Sequence, residues 1–246
     1  MPAGASARSM AAVDFAAIQA LTFDCYGTLI DWERGILAAL RPLVGQYGVQ
    51  LDDDGILERY ARLESALEAG PYRPYRQILA EVVRGLGAEL GFAPSEAEAA
   101  SLADSLGSWP PFPDTVEALR RLSARFQLGI ISNTDDDLFA QTAQRLAVTF
   151  TWVTTAQQAH AYKPSLAPFE LALGRLAAAG VERTSVVHVA QSLFHDHVPA
   201  QQLGLASVWV NRRHGRSGGG ATPLTTARAQ LEVPSLGALA ELALRS

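Results

Sequence analysis

The stretch Leu21-Thr22-Phe23-Asp24-Cys25-Tyr26-Gly27-Thr28-Leu29 decides how the chain is read. Ala20–Phe23 is short and mostly apolar, which predicts a buried strand. Asp24 then falls at the strand's carboxyl end, where open α/β sheets place their ligands. Gly27 lets the chain turn sharply, and Thr28 can return its hydroxyl to the carboxylate or to a ligand beside it. Taken alone, a D-x-x-G stretch more often means a carboxylate capping a turn. Three later segments lift Asp24 above that reading.

The chain has 246 residues, enough for one large domain or a core with a smaller insertion. An apolar fraction of 48% against 18% charged residues predicts a sizeable core and excludes a disordered chain. A net charge of −5 argues against nucleic acid and anionic membranes as partners. No apolar run approaches the roughly 18 residues that span a bilayer. Residues 1–19 lack the apolar centre of a signal peptide, so a flexible tail and a cytoplasmic protein are expected. Cys25 is the single cysteine, so no internal disulfide forms. Strand alternation turns it to the side opposite Asp24, which favours packing over nucleophilic chemistry.

Beyond the opening motif the pattern turns helical. Ile56, Tyr60, Leu63 and Leu67 share one spacing, as do Leu79, Val82, Leu86 and Leu90, and the Gly70 to Pro74 run breaks the two. Ser95 with Glu98 forms a capping box for a further helix. Residues 32–107 carry no strong strand signal and read as an all-helical cap. The stiff run Trp109-Pro110-Pro111-Phe112-Pro113 marks the return to the core, expected over 20–31 and 108–246. Asp114 and Glu117 are expected to cap the next helix. Strands are predicted at 128–131, 152–153, 186–190 and 207–210, with helical faces between them. That alternation predicts a doubly wound α/β core with a parallel sheet. A glycine loop at 217–220 and a closing helix at 236–244 complete the chain.

In a parallel sheet the strand ends share one edge, so the groups they deliver converge. The first strand brings Asp24, the second Ser132 and Asn133, and the fourth Gln191, Ser192, His195 and Asp196. Lys163 arrives between them. Two carboxylates, a cation and neutral donors make a covalent-catalysis site. Each member has a plainer reading: Ser132-Asn133 as a helix cap, Lys163 as a surface charge, Asp196 as a cap near Pro199, and His195 and His197 as surface histidines. Arg212, Arg213, His214 and Arg216 read as a solvated rim. The ordered series, rather than any one residue, carries the catalytic reading.

FDCYGTL, ISN, YKP and the Asp196 segment, in this order, resemble the haloacid dehalogenase superfamily over nearly the whole chain from Ala20. Within it the chain is most similar to the L-2-haloacid dehalogenase branch. SLFHDHVPA, RRHG and GGAT also resemble a subgroup that hydrolyses the C–N bond of azetidine-2-carboxylate. The resemblance implies that Asp24 attacks an electrophilic centre to form an ester, which water hydrolyses without a metal or other cofactor. It implies that Lys163 and Thr28 orient Asp24, that Ser132 and Asn133 receive the substrate carboxylate, and that Asp196 orients Lys163 or helps activate water. Such an enzyme takes a small carboxylic acid, here most readily a 2-haloacid, and dimers are common among such dehalogenases.

Tyr26 stands where the superfamily's phosphatases carry a second aspartate that protonates an alkoxide. A phenol with an ordinary pKa near 10 is a poor acid for that task, whereas a halide needs no proton and an ammonium already carries one. Gln191 stands where phosphatases place a magnesium-binding carboxylate, and a neutral amide is a weak substitute. A magnesium-dependent phosphatase and a non-catalytic small-acid binding protein are therefore the alternatives. Phe169 stands where the dehalogenase branch usually has tyrosine, and Gln191 and Leu193 where it has serine and asparagine. For the branch's halide-gripping arginine, Arg62 is the nearest candidate and Arg59 the next. Glu64 suits an amine better than a halide, and His195 or His197 suits proton transfer to water.

Overall fold

The computed structural model describes residues 13–214 and 225–245, so the glycine loop expected at 217–220 lies outside the described residues. Six strands form one sheet: β1 Ala20–Phe23, β2 Gln127–Ser132, β3 Trp152–Thr155, β4 Val186–Ala190, β5 Ala206–Val210 and β6 Leu231–Val233. Their spatial order is β3-β2-β1-β4-β5-β6, and every pair is parallel. This is the doubly wound α/β arrangement, with the chain reversing direction across the sheet beside β1. β1 is buried at all four positions, as expected of a strand covered by helices on both faces. Phe23 lies opposite Ile130 of β2 and Val189 of β4, so the three strands end together.

Helices α1 Trp32–Gln46, α2 Asp53–Glu68, α3 Tyr75–Leu90 and α4 Glu96–Ser105 fill the stretch between β1 and the return to the sheet. The box at Ser95 is reciprocal: its hydroxyl accepts from Glu98 N while Glu98 accepts from Ser95 N. The other helices are α5 Thr115–Ser123, α6 Asp136–Leu146, α7 Ala156–Ala159, α8 Ala167–Ala178, α9 Val198–Gln202 and α10 Leu236–Ala243. A π-helical turn, Leu193–His197, precedes α9.

Several local expectations need correction. Of the tail expected over 1–19, Val13, Phe15 and Ile18 pack on the core. Phe15 is buried edge-on against Phe126, and Gln19 N donates to Ser185 O. Asp114 does not cap α5 with its side chain; its carboxylate accepts from Arg212 Nη1 at 2.7 Å and from Gly237 N at 3.0 Å. Arg212 is accordingly no rim residue. It is 7% exposed, lies over the Phe112 ring and donates to Thr28 O from Nε and Nη2. The loop that carries Asp24 is thus clamped from behind.

Candidate active site

The turn after β1 is built by its backbone. Thr28, Leu29 and Ile30 all donate to Cys25 O, and Gly27 N donates to Ile30 O. Gly27 closes this turn at φ +91°, where a Cβ would also meet the Trp32 ring at 3.1 Å. Asp24 is left with two held oxygens: Oδ2 accepts from Thr28 Oγ1 at 2.6 Å and Oδ1 from Lys163 Nζ at 2.9 Å. Thr28 Oγ1 itself accepts from Gln191 N at 2.9 Å, which commits its proton to Asp24.

Lys163 is 2% exposed and uses all three ammonium protons, on Asp24 Oδ1, on Ile131 O at 2.9 Å and on Asp196 Oδ1 at 2.6 Å. Asn133 fixes the backbone that delivers it, accepting from Lys163 N at 2.8 Å and donating to Lys163 O at 3.2 Å. Burial works against the Lys163 charge, but Asp196 and Asp24 outweigh it and hold its pKa above the ordinary value. Asp196 is pulled the other way: burial would raise it, yet Lys163 and a hydrogen bond with His188 hold it well below the carboxylate range. For Asp24, burial dominates over Lys163 and raises the pKa, making its carboxylate more basic than an exposed one.

These groups border a cavity of about 50 Å³, which Trp32, Tyr75, Glu64 and Glu68 close on the side of the inserted helices. Such a space accepts roughly four water-sized groups, the scale of a very small organic acid. Ser132 Oγ and Asp196 Oδ2 are buried beside it and find no hydrogen-bond partner among the described residues. A buried polar atom of this kind calls for a ligand or water.

Asp24, Tyr26, Ser132, Asn133, Lys163, Gln191, Ser192, His195 and Asp196 all reach this cavity, and Thr28 stands directly behind it. Tyr26 bonds Thr142 Oγ1 at 2.9 Å, and burial pushes its phenol upward, so it is no acid at neutral pH. Ser192 Oγ accepts from His195 N at 3.0 Å and lies 3.1 Å from His195 Nδ1. Burial lowers His195 and His197 to about 4, so both are neutral at physiological pH. His197 is fully buried against Ser207 and Ala190 O, so the surface reading fails for it. Cys25 is buried too, and burial with the Asp24 charge raises its thiol far from the nucleophilic range.

Arg62 and Phe169 do not join the cavity. Arg62 is exposed on α2 and pairs with Glu89 of α3. Arg59 likewise turns to Gly55 O and Glu89. Phe169 is buried on α8, its ring steeply inclined to that of His188 with centroids 4.9 Å apart, one layer behind the site. Asn133 lines the cavity, but its amide is already engaged with Lys163 O and with Glu68 Oε2 at 3.1 Å.

The sequence reading passed over Glu68, Tyr75, Trp32 and His188. Glu68 follows Glu64 by four residues and so shares its helix face, a signal that was available. Glu64 accepts from Tyr60 Oη at 2.8 Å and from Tyr75 Oη at 2.5 Å. Burial raises the pKa of both carboxyls, and the Glu64 charge raises Glu68 further. Asp135, at the start of α6, reaches across to accept from Tyr75 N at 2.8 Å and Arg76 N at 2.9 Å, capping α3 and fixing Tyr75 over the site.

A buried carboxylate held by a lysine and a threonine at the switch point of such a sheet is an arrangement able to support covalent catalysis. A model described as haloacid dehalogenase-like hydrolase matches residues 18–190, and the chain belongs to that family of hydrolases. It is 28% identical to an (S)-2-haloacid dehalogenase of Pseudomonas putida over 203 residues, 80% of this chain and 86% of that protein. An L-2-haloacid dehalogenase structure superposes with a TM-score of 0.77 at 21% identity, covering 93% of this chain and all of that one (100%). The L-2-haloacid dehalogenase of Xanthobacter autotrophicus, with chloropropionic acid covalently bound, superposes at 0.74 with 23% identity, over 93% and 99% of the two chains. These two likenesses establish the shared fold.

The superfamily's phosphatases imply a magnesium ion, and the donors here do not fit one. Asp24 and Asp196 each turn an oxygen to the Lys163 ammonium, and Gln191 offers only a neutral amide to a hard cation.

Proposed function

We propose that this protein hydrolyses small 2-substituted carboxylic acids, 2-haloacids first among them, through an ester on Asp24. The reading is carried by one observation: Asp24 is a buried carboxylate with both oxygens oriented, by Lys163 and Thr28, at the wall of a small cavity. An Asp24 oxygen attacks carbon 2, the bond to the substituent breaks, and the halide leaves with the electron pair. Burial keeps the nucleophile poorly solvated and more basic, and the Lys163 charge partly offsets that rise. Ser132 Oγ, unpartnered at the cavity wall, is the donor for the substrate carboxylate. Water oriented by Asp196 Oδ2 then attacks the ester carbonyl. The carbonyl carbon's bond to the substrate oxygen breaks, and one proton of the water goes to that oxygen as the 2-hydroxy acid leaves. The other proton passes to solvent, and the Asp24 carboxylate is regenerated. Helices α1 to α4 act as a cap that excludes bulk water. Halide release from L-2-chloropropionate, measured by ion chromatography with chelator present, tests the reading. Release that disappears in Asp24→Asn supports it; a fully active Asp24→Asn enzyme overturns it.

One observation favours a second leaving group. The wall facing Lys163 carries Glu64 and Glu68 where a halide would need a cation. A carboxyl pair there suits a protonated ring nitrogen, which departs as an amine. Ring opening of L-azetidine-2-carboxylate without halide release from chloropropionate would select this form of the same chemistry.

A further inference from the structure

One buried group behind the cavity has chemistry that the steps above leave unused. His188 sits inside β4 between Val187 and Val189 and is fully buried. A polar ring there is costly unless both nitrogens are satisfied, and both are. Nδ1 lies 3.0 Å from Thr22 Oγ1, its register partner on β1, and Nε2 lies 3.1 Å from Asp196 Oδ1. Asp196 is ionised and can only accept, so Nε2 carries a proton toward it, and Nδ1 meets the Thr22 hydroxyl, which can donate or accept. The Phe169 ring packs against it at an interplanar angle of 73°. A continuous line of contacts therefore runs from Thr22 through His188, Asp196 and Lys163 to Asp24. Lys163 and His188 both end on Asp196 Oδ1, and that double hold leaves Oδ2 buried and unpartnered beside the cavity.

We infer that His188 is a positioning residue for ester hydrolysis: its Nε2–H locks Asp196 so that Oδ2 meets the attacking water. The inference rests on the Asp24-ester reading. Ester formation depends most directly on Lys163 and Thr28, which touch Asp24, whereas hydrolysis also needs Asp196 Oδ2 at the attacking water. The two half-reactions should separate on substitution.

In His188→Phe, kcat with L-2-chloropropionate should fall about 10- to 100-fold, the scale of a lost hydrogen bond to a charged group. KM should fall with it, and the ester should accumulate on the Asp24 peptide in intact-protein and peptide mass spectra. His188→Gln, whose amide can present an N–H in the same direction, should restore turnover and clear the ester. Thr22→Val should show a weaker form of the same pattern. A merely structural role predicts lower activity without trapped ester and no advantage of Gln over Phe; either result overturns the inference. Nitrogen-15 spectra of the wild-type histidine rings give a test independent of turnover, with His188 assigned by its loss in His188→Gln. A proton on Nε2 is expected, and a bare Nε2 overturns the inference. If wild-type enzyme attacks none of the substrates, the functional reading fails, while the ring spectrum still decides whether His188 donates to Asp196.

Discussion

Replacing Lys163 by methionine removes the ammonium that Asp24 and Asp196 share. The side chain is 2% exposed and makes three charge-assisted contacts, at 2.9, 2.9 and 2.6 Å. Methionine matches much of the volume, so the loss is electrostatic rather than a cavity. Removing one partner of a buried ion pair typically costs about 3–5 kcal/mol, because the remaining charge is stranded. For a chain of this size that corresponds to a fall in Tm of roughly 6–20 °C. The sign with pH follows from the groups left behind. Asp196 has a depressed pKa in the wild type, so its contribution is present at neutral pH and lost as pH falls through that depressed value. Without Lys163 the carboxylates titrate upward and take up protons on acidification. The penalty should therefore be largest near neutrality and shrink from about pH 8 to about pH 4. Thermal melts of both proteins across that range provide the assay, with loss of turnover as the companion readout. A penalty below about 1 kcal/mol, the scale of a surface ion pair, or one independent of pH would refute the reasoning.

Glu68→Gln should stabilise the protein at neutral pH by roughly 0.5–2 kcal/mol, the usual gain from relieving a group kept for function. Because Glu68 has a raised pKa in the fold, its favourable contribution is complete below the ordinary value near 4.3 and lost as pH rises, so the gain should vanish in acid. Chemical denaturation at two pH values checks it, and a loss of stability at pH 7 would contradict it. Asp135→Ala removes the acceptor for Tyr75 N and Arg76 N and should cost about 1–2 kcal/mol, as a lost helix cap does. It should also lower kcat/KM, because Tyr75 lines the cavity; unchanged melting would show that this contact is idle. Tyr26→Phe removes the bond to Thr142, so it should cost about 1 kcal/mol and leave turnover within roughly tenfold. A collapse of turnover would show that the phenol takes part in proton transfer.

The strands at 128–131, 186–190 and 207–210 were legible because runs buried on both faces of a parallel sheet are continuously apolar. β6 escaped notice: three residues with Glu232 exposed between Leu231 and Val233 carry too little pattern. The meeting of Asp24, Lys163 and Asp196 was legible because parallel topology brings strand ends to one edge. What periodicity does not report is which helix face meets that edge. Arg62 lies two residues from Glu64, hence on another side of α2, and pairs with Glu89 while Glu64 and Glu68 face the cavity. Asp114 and Arg212 were misjudged for a related reason. Each reads locally as a cap or a surface charge, and only the tertiary fold makes them partners across 98 residues. His188 did leave a trace, a polar residue within an apolar run, and in a buried strand that is a group with partners to be found.

The most direct test of the account is a single turnover in heavy-oxygen water with excess enzyme and L-2-chloropropionate, followed by mass analysis of the peptide containing Asp24. Attack of water on an ester carbonyl puts the heavy oxygen into the Asp24 carboxylate, and the first product molecule carries ordinary oxygen from the protein. Label on the Asp24 peptide and an unlabelled hydroxy acid are the predicted result. Label in the product with an unlabelled Asp24 peptide would mean that water attacks carbon 2 directly, and would contradict covalent catalysis by Asp24.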